Sequence, residues 1–277
     1  MFRKLLAGLL CLCLFCGCSA STTQTSKHEE KEKKTFTLPS AKIIDDIQER
    51  GYLIVGVKTD VPGLSDYDET TQTYSGVEIE LAYKIAGLIF DCSAKEAESK
   101  GYVHFEPVTV ANRETKLKNG DIDCLMATYT ITASRKKKFA LSESYYKDYI
   151  GLMVRKTETD NESLGSSGIQ SLADLDGKII GTAKHSTARK ATLNYINNHA
   201  SLSISPIFME YDSYDELKEA LVSGEIDAMC VDVSILEGYV DDSLTILNDR
   251  YAPQDYGAAV LPKNRALIEV INYAIEN

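Results

Sequence analysis

The sequence predicts an α/β protein built as two similar lobes, on three observations. From Leu38 onward, short apolar runs alternate with amphipathic helical segments. The run Leu53-Ile-Val-Gly-Val57 is apolar throughout, as in a strand covered on both faces. An eight-residue pattern also recurs, NGDIDCLM at 119–126 and SGEIDAMC at 223–230. Each copy follows an amphipathic helix, supplies a glycine for its C-terminus and opens a strand. The copies lie about a hundred residues apart, the size of a small domain. The alternative is chance recurrence of a common helix–glycine–strand connection.

The elements follow in order. After Leu53–Val57, Gly76 precedes a helix whose Val77, Leu81, Ile85 and Ile89 share one face. Tyr102 to Val108 reads as a strand, Arg113 to Lys118 as a short helix ending at Gly120, and Ile122 to Ala127 as a strand. Repeated β–α units of this kind form an open, largely parallel sheet. The second lobe repeats the plan. Its strands are Lys178 to Gly181, Ile204 to Met209, Ile226 to Val231 and Leu244 to Leu247. Its helices are Thr187 to His199 and Tyr214 to Val222. An apolar run, Tyr256 to Leu261, and a helix from Arg265 finish the chain. Open α/β sheets bind ligands outside the carboxyl ends of their strands.

Before Leu38 the character changes. Arg3 and Lys4 precede a short apolar stretch, Leu5 to Cys16, too short to span a membrane. It reads as a secretory signal over residues 1–17. Residues 18–37 are polar and charged without apolar period, and read as a solvated tether. The 30 Lys and Arg against 41 Asp and Glu give a net charge of −11. That balance argues against nucleic acid and against adsorption to an anionic membrane, both of which need basic patches. Cys92, Cys124 and Cys230 have no zinc spacing, and no HExxH occurs, so neither a metal nor another cofactor is expected. Cys124 and Cys230 fall in apolar strands, where Cys acts as a small hydrophobe.

Several segments resemble the extracytoplasmic solute-binding proteins, family 3, of polar amino acid ABC importers. They are GYLIVGVKTDVPG (51–63), YSGVEIELAYKIA (74–86), NGDIDCLMATYTITASRKKKFALSESYY (119–146), SLADLDGKIIGTAKHSTA (171–188) and SGEIDAMCVDVSILEGYVDD (223–242). The likeness covers about three quarters of the chain, and is greatest to aspartate- and glutamate-binding members. It implies a periplasmic-binding-protein fold of type II, with the ligand cleft between two α/β lobes. Lobe 1 would combine 42–144 with 257–277, lobe 2 would run 150–251, and hinges would lie at 145–149 and 252–256. Phe15-Cys16-Gly17-Cys18 resembles a lipobox, which implies lipidation of Cys18, a chain anchored outside the cytoplasm and no other membrane contact. A monomer delivering its amino acid to a membrane permease is the implied arrangement. Relatives usually continue past residue 277 with a helix ending near Lys-Trp, which implies either a shortened chain or a lobe 1 finished differently.

The same resemblance implies a site. Arg135 would grip the ligand α-carboxylate with its planar fork. Thr130 would add a hydroxyl, and the Thr128 carbonyl would accept from the ammonium. Ser186 and Thr187, where a strand turns into a helix, would close on the carboxylate; simple N-capping is the plainer reading. Asp232, at a strand end, would pair with the ammonium. Lys58 and Arg113 would face the side chain, and two cations there imply glutamate or aspartate; glutamine or cysteine is the alternative. Val61, Leu64 and Val110 stand where many members place aromatic rings, so a charge-dominated pocket is expected. Tyr256 would reach the cleft from the second crossing segment. No GxSxG or Cys/His pair supports an enzyme, although secreted cyclohexadienyl dehydratases use the same fold. A surface adhesin or a sensor module are further alternatives.

Overall fold

The computed structural model describes residues 36–156 and 169–277. The predicted signal, Cys18 and the tether up to residue 35 lie outside them. Among the described residues no helix is long and apolar enough to cross a membrane.

The first lobe opens with α1 (Lys42–Arg50), which turns Ile43, Ile44 and Ile47 inward. Strand β1 (Leu53–Val57) pairs in parallel with β5 (Val103–Pro107) and β6 (Cys124–Leu125). Between β1 and β5 come a small antiparallel sheet of β2 (Asp60–Val61), β3 (Ser65–Asp68) and β4 (Thr73–Ser75), and helices α2 (Val77–Ile89) and α3 (Ala94–Ser99). Gly76 starts α2 at φ 114°, and a Cβ there would lie 2.3 Å from the Leu64 carbonyl oxygen, so only glycine fits. Strands β7 (Ala140–Leu141) and β14 (Ala259–Val260) complete the order β5-β1-β6-β14-β7. Helix α9 (Ala266–Glu276) packs Leu267, Val270 and Ile271 into the same core as α1 and α2.

The second lobe has β9 (Ile179–Ala183) between β10 (Ile207–Tyr211) and β11 (Ala228–Asp232), all parallel. Strands β8 (Tyr146–Arg155) and β12 (Leu244–Ile246) add antiparallel pairs, giving β10-β9-β11-β8-β12. Helices α6 (Ala188–Asn198), α7 (Tyr214–Ser223) and α8 (Val233–Tyr239) accompany this sheet. The chain passes between the sheets along β8 and β13 (Tyr251–Tyr256), which pair antiparallel with Tyr256 opposite Tyr146 and Gln254 opposite Asp148.

The recurring octapeptide does the same work in both lobes. Gly120 and Gly224 each end a helix at φ 82°. The Asp123 amide donates to the Ile54 carbonyl at 2.9 Å while its carboxylate accepts the Ile54 N–H at 2.8 Å. Asp227 makes both bonds to Ile179, each at 2.8 Å. Ile122 packs over Gly56 of β1, and Ile226 over Gly181 of β9.

Three expected strands differ. The run Ile122 to Ala127 is a strand only at Cys124–Leu125, because the chain then bends into a left-handed turn at Thr128 (φ 46°). The strand expected at Ile204 to Met209 is Ile207–Tyr211, since Pro206 has no N–H for the ladder. The run Tyr256 to Leu261 is divided between β13 and β14, in different sheets.

Candidate functional site

All the expected site residues except Tyr256 lie at or just after the carboxyl end of a parallel strand. Lys58 directly follows β1, and Arg113 opens α4 (Arg113–Asn119) after β5. Thr128, Thr130 and Arg135 follow β6, with Arg135 on the single turn α5 (Ala133–Lys136). Ser186 and Thr187 follow β9, and Asp232 is the last residue of β11. Tyr256 ends β13 and bridges to Thr130.

These residues fall into two groups. Thr130, Arg135, Ser186 and Thr187 line a cleft of about 690 Å³ with Lys138 and Gln254. Lys58, Arg113, Thr128, Asp232 and Tyr256 are buried and do not line it. An apolar cluster spans both lobes beside them. It joins Val61, Leu64 and Val110 of the first lobe to Tyr214, Leu236 and Tyr239 of the second.

Arg135 is 5% exposed, donates to the Thr130 carbonyl at 2.8 Å and to the His185 carbonyl at 3.4 Å, and lies 3.8 Å from the centre of the Tyr129 ring. Arg113 lies 5.0 Å from the same ring centre and donates to the Ala127 carbonyl at 2.7 Å. Burial, and then the Arg113 charge, bring the Arg135 guanidinium down to about 10. Two like charges thus sit around one aromatic ring, away from water.

Lys58 is taken up by its neighbours. Its Nζ lies 2.9 Å from Asp60 Oδ1 and 4.7 Å from the Tyr214 ring centre, and burial lowers its pKa. Asp60 also accepts the Tyr239 hydroxyl at 3.0 Å, which links β2 to α8 across the lobes. Thr187 donates to Gln254 Oε1 at 2.7 Å and makes no side-chain cap for α6. Ser186 Oγ accepts the Ala188 N–H at 3.4 Å, a long capping contact.

Asp232 is 7% exposed and accepts the Tyr256 hydroxyl at 2.6 Å. Burial pushes its carboxyl up to about 7, against the pull of Tyr256, Arg113 and Arg135. Thr128 keeps its left-handed turn by donating its N–H to Glu78 Oε1 at 2.7 Å. Glu78 also accepts the Ser65 and Tyr145 hydroxyls at 2.6 and 2.5 Å, and burial raises its pKa.

Sequence reasoning missed Asp60, Glu78, Tyr129, Asp148 and Tyr214. Asp60, two residues after Lys58, and Tyr129, directly before Thr130 in the 119–146 segment, carried a positional signal. Val61, Leu64 and Val110 lie in the apolar cluster, and Tyr129 and Tyr214 lie against the cations.

Two α/β lobes whose strands aim their carboxyl ends at one buried, charged interface define a two-lobed solute-binding protein. The chain belongs to the bacterial extracellular solute-binding proteins, family 3, whose profile it matches over residues 53–277. The glutamine-binding protein of Geobacillus stearothermophilus is 30% identical over 226 residues, covering 80% of this chain and 78% of that one. Glutamate-binding protein GluB of Corynebacterium efficiens is 27% identical over 237 residues, 82% of this chain and 74% of that one. Among solved structures, an ancestral arginine-binding protein bound to glutamine superposes with a TM-score of 0.65 at 28% identity, over 82% of this chain and 91% of that one.

Proposed function

We propose that the protein is the substrate-binding component of an amino acid ABC importer. It captures an acidic amino acid, glutamate or aspartate, between its lobes and hands it to a membrane permease. The observation that carries this reading is the pair of buried guanidiniums, Arg113 and Arg135, around Tyr129, with the Asp232 carboxylate close enough to feel both charges. Two cations and one anion complement a ligand with two carboxylates and one ammonium.

In this reading Arg135 and Thr130 hold the α-carboxylate, with Ser186 and Thr187 closing from the second lobe. Asp232 and the Thr128 carbonyl take the ammonium, and Tyr256 holds Asp232. Arg113 and Lys58 meet the side chain. The β8–β13 pair supplies the hinges, at 145–149 and 252–256, between lobe 1 (42–144 plus 257–277) and lobe 2 (150–251). A lipid on Cys18 tethers the monomer to the outer face of the cell membrane. Mass spectrometry of membrane fractions should find that lipid; an unmodified, soluble mature chain rules it out.

One observation favours a second ligand. Asp60 already pairs with Lys58, so the far end of the site offers an acceptor beside a donor, which suits the amide of glutamine. Calorimetry with glutamate, aspartate and glutamine separates the two. Arg135→Ala should weaken any of them on the order of 100-fold or more. Arg113→Met should weaken glutamate selectively; equal glutamine binding that ignores this change overturns the acidic assignment. Prephenate and arogenate should not be turned over, whereas product formation would establish a dehydratase.

A further inference from the structure

Asp148 lies in β8 opposite Gln254 and is 5% exposed. Its Oδ1 accepts the Tyr149 N–H at 2.7 Å. Its Oδ2 accepts the Ser234 N–H at 3.0 Å and the Ser234 hydroxyl at 2.5 Å, and lies 3.0 Å from the Tyr256 hydroxyl. Ser234 is the second residue of α8. The position that begins this helix belongs to Asp232, whose carboxylate makes no capping bond. An Asp there ordinarily turns its side chain back onto the helix N–H groups. Asp148 does so instead, from the neighbouring strand, and the Asp232 carboxylate turns to Tyr256 at 2.6 Å. That hydroxyl has a single proton. Burial and the two carboxylates raise the phenol well above its ordinary value, so the proton stays on it. Asp148 Oδ2 already takes two bonds from Ser234, which leaves the shorter Tyr256 bond to Asp232.

We infer that Asp148 is a positioning residue for amine recognition: it caps α8 in place of Asp232 and, across the shared Tyr256 hydroxyl, holds the Asp232 carboxylate ready for a ligand ammonium. This rests on the proposed pairing of Asp232 with the ammonium. The groups that act on Asp232 come from every side: Tyr256 on β13, Asp148 on β8, Arg113 on α4, Arg135 on α5 and Tyr214 on α7. Asp148 opposes ionisation of Asp232, whereas the Tyr256 hydrogen bond and the two arginines favour it.

The test follows Asp232 itself in ligand-free protein, by carboxyl ¹³C NMR of the aspartate-labelled chain, with the signal assigned through Asp232→Asn. Asp148→Asn should lower the titration midpoint by roughly one pH unit, and Tyr256→Phe should raise it. In calorimetry above neutrality, Asp148→Asn should also weaken glutamate or glutamine binding roughly tenfold, because the carboxylate is no longer held. Opposite midpoint shifts together with weaker binding support the inference. Midpoints that ignore both substitutions, or move together, overturn it, as does a lowered midpoint with unchanged binding, which is what a nearby charge alone gives. Should Asp148→Asn not fold, Ser234→Ala replaces it: Asp148 then draws the Tyr256 proton from Asp232, and an unmoved midpoint overturns the inference. If neither amino acid binds, or Asp232→Asn still binds them, the functional reading fails while the NMR shifts still judge Asp148. If binding needs Asp232 but its midpoint ignores Asp148, the inference alone fails.

Discussion

Thr128 shows how one buried carboxyl group organises the interior. A threonine at φ 46° is strained, by roughly 1–3 kcal/mol, and persists only where its surroundings hold it. Glu78 holds it, and through Ser65 and Tyr145 it also ties α2 to β3 and to the start of the first crossing segment. Glu78→Ala would leave an N–H and two hydroxyls without their acceptor, and should cost about 3 kcal/mol or more in denaturant unfolding. Glu78→Gln should cost about 1 kcal/mol or less, because its amide group can face the Ser65 hydroxyl, which turns to accept. A loss as large as that of alanine would show that the charge itself is needed. None of this was legible from residue types. Glu78 reads as an ordinary first-turn acid of α2, and only the tertiary contact with Thr128 gives it a role. Lys58 is similar: its type and strand-end place were readable, but its cover by Tyr214 joins positions far apart in the chain.

The elements were far more readable. The alternation of apolar runs and helical periods located β1, α2, β9, α6 and α7 within a few residues. The small sheet β2–β4 was not found, because its strands are short and partly polar. Helix α1 was legible in Ile43, Ile44 and Ile47 but was overlooked. The recurring octapeptide proves to be a structural repeat, since its Ile and Asp serve the same contacts in both sheets. Asp227→Ala should lower stability by about 1–3 kcal/mol through the lost bond to Ile179. Asp123→Ala should cost more, because Asp123 also pairs with Arg50. The sites lie in different lobes and share no partner, so the double variant should show additive losses in chemical denaturation. A clear departure from additivity would mean that the lobes unfold as one coupled unit through these residues.

For the whole molecule, the net charge of −11 said little about an interior that gathers cations and carboxylates at one interface. Asp232, pushed up to about 7, carries a consequence for ligand-free protein. Its folded value lies above the unfolded one, so its contribution to stability is fully present in acid and is lost as pH rises through about 7. The thermal midpoint of the ligand-free chain should therefore fall between mildly acidic and mildly alkaline pH more steeply than that of Asp232→Asn. Parallel curves for the two would exclude the effect. If, as proposed, a ligand ammonium pairs with Asp232 and so favours its ionised form, a bound amino acid should raise the midpoint most on the alkaline side.

The Asp123–Ile54 and Asp227–Ile179 clamps lie at the amino ends of their strands, and every candidate ligand contact on the parallel strands lies at or beyond the carboxyl ends. Each lobe is thus fastened at one edge and inscribed at the other. Substitutions that rewrite what the cleft accepts need not loosen the fastening, which leaves descendants of this chain free to change diet without first relearning how to fold.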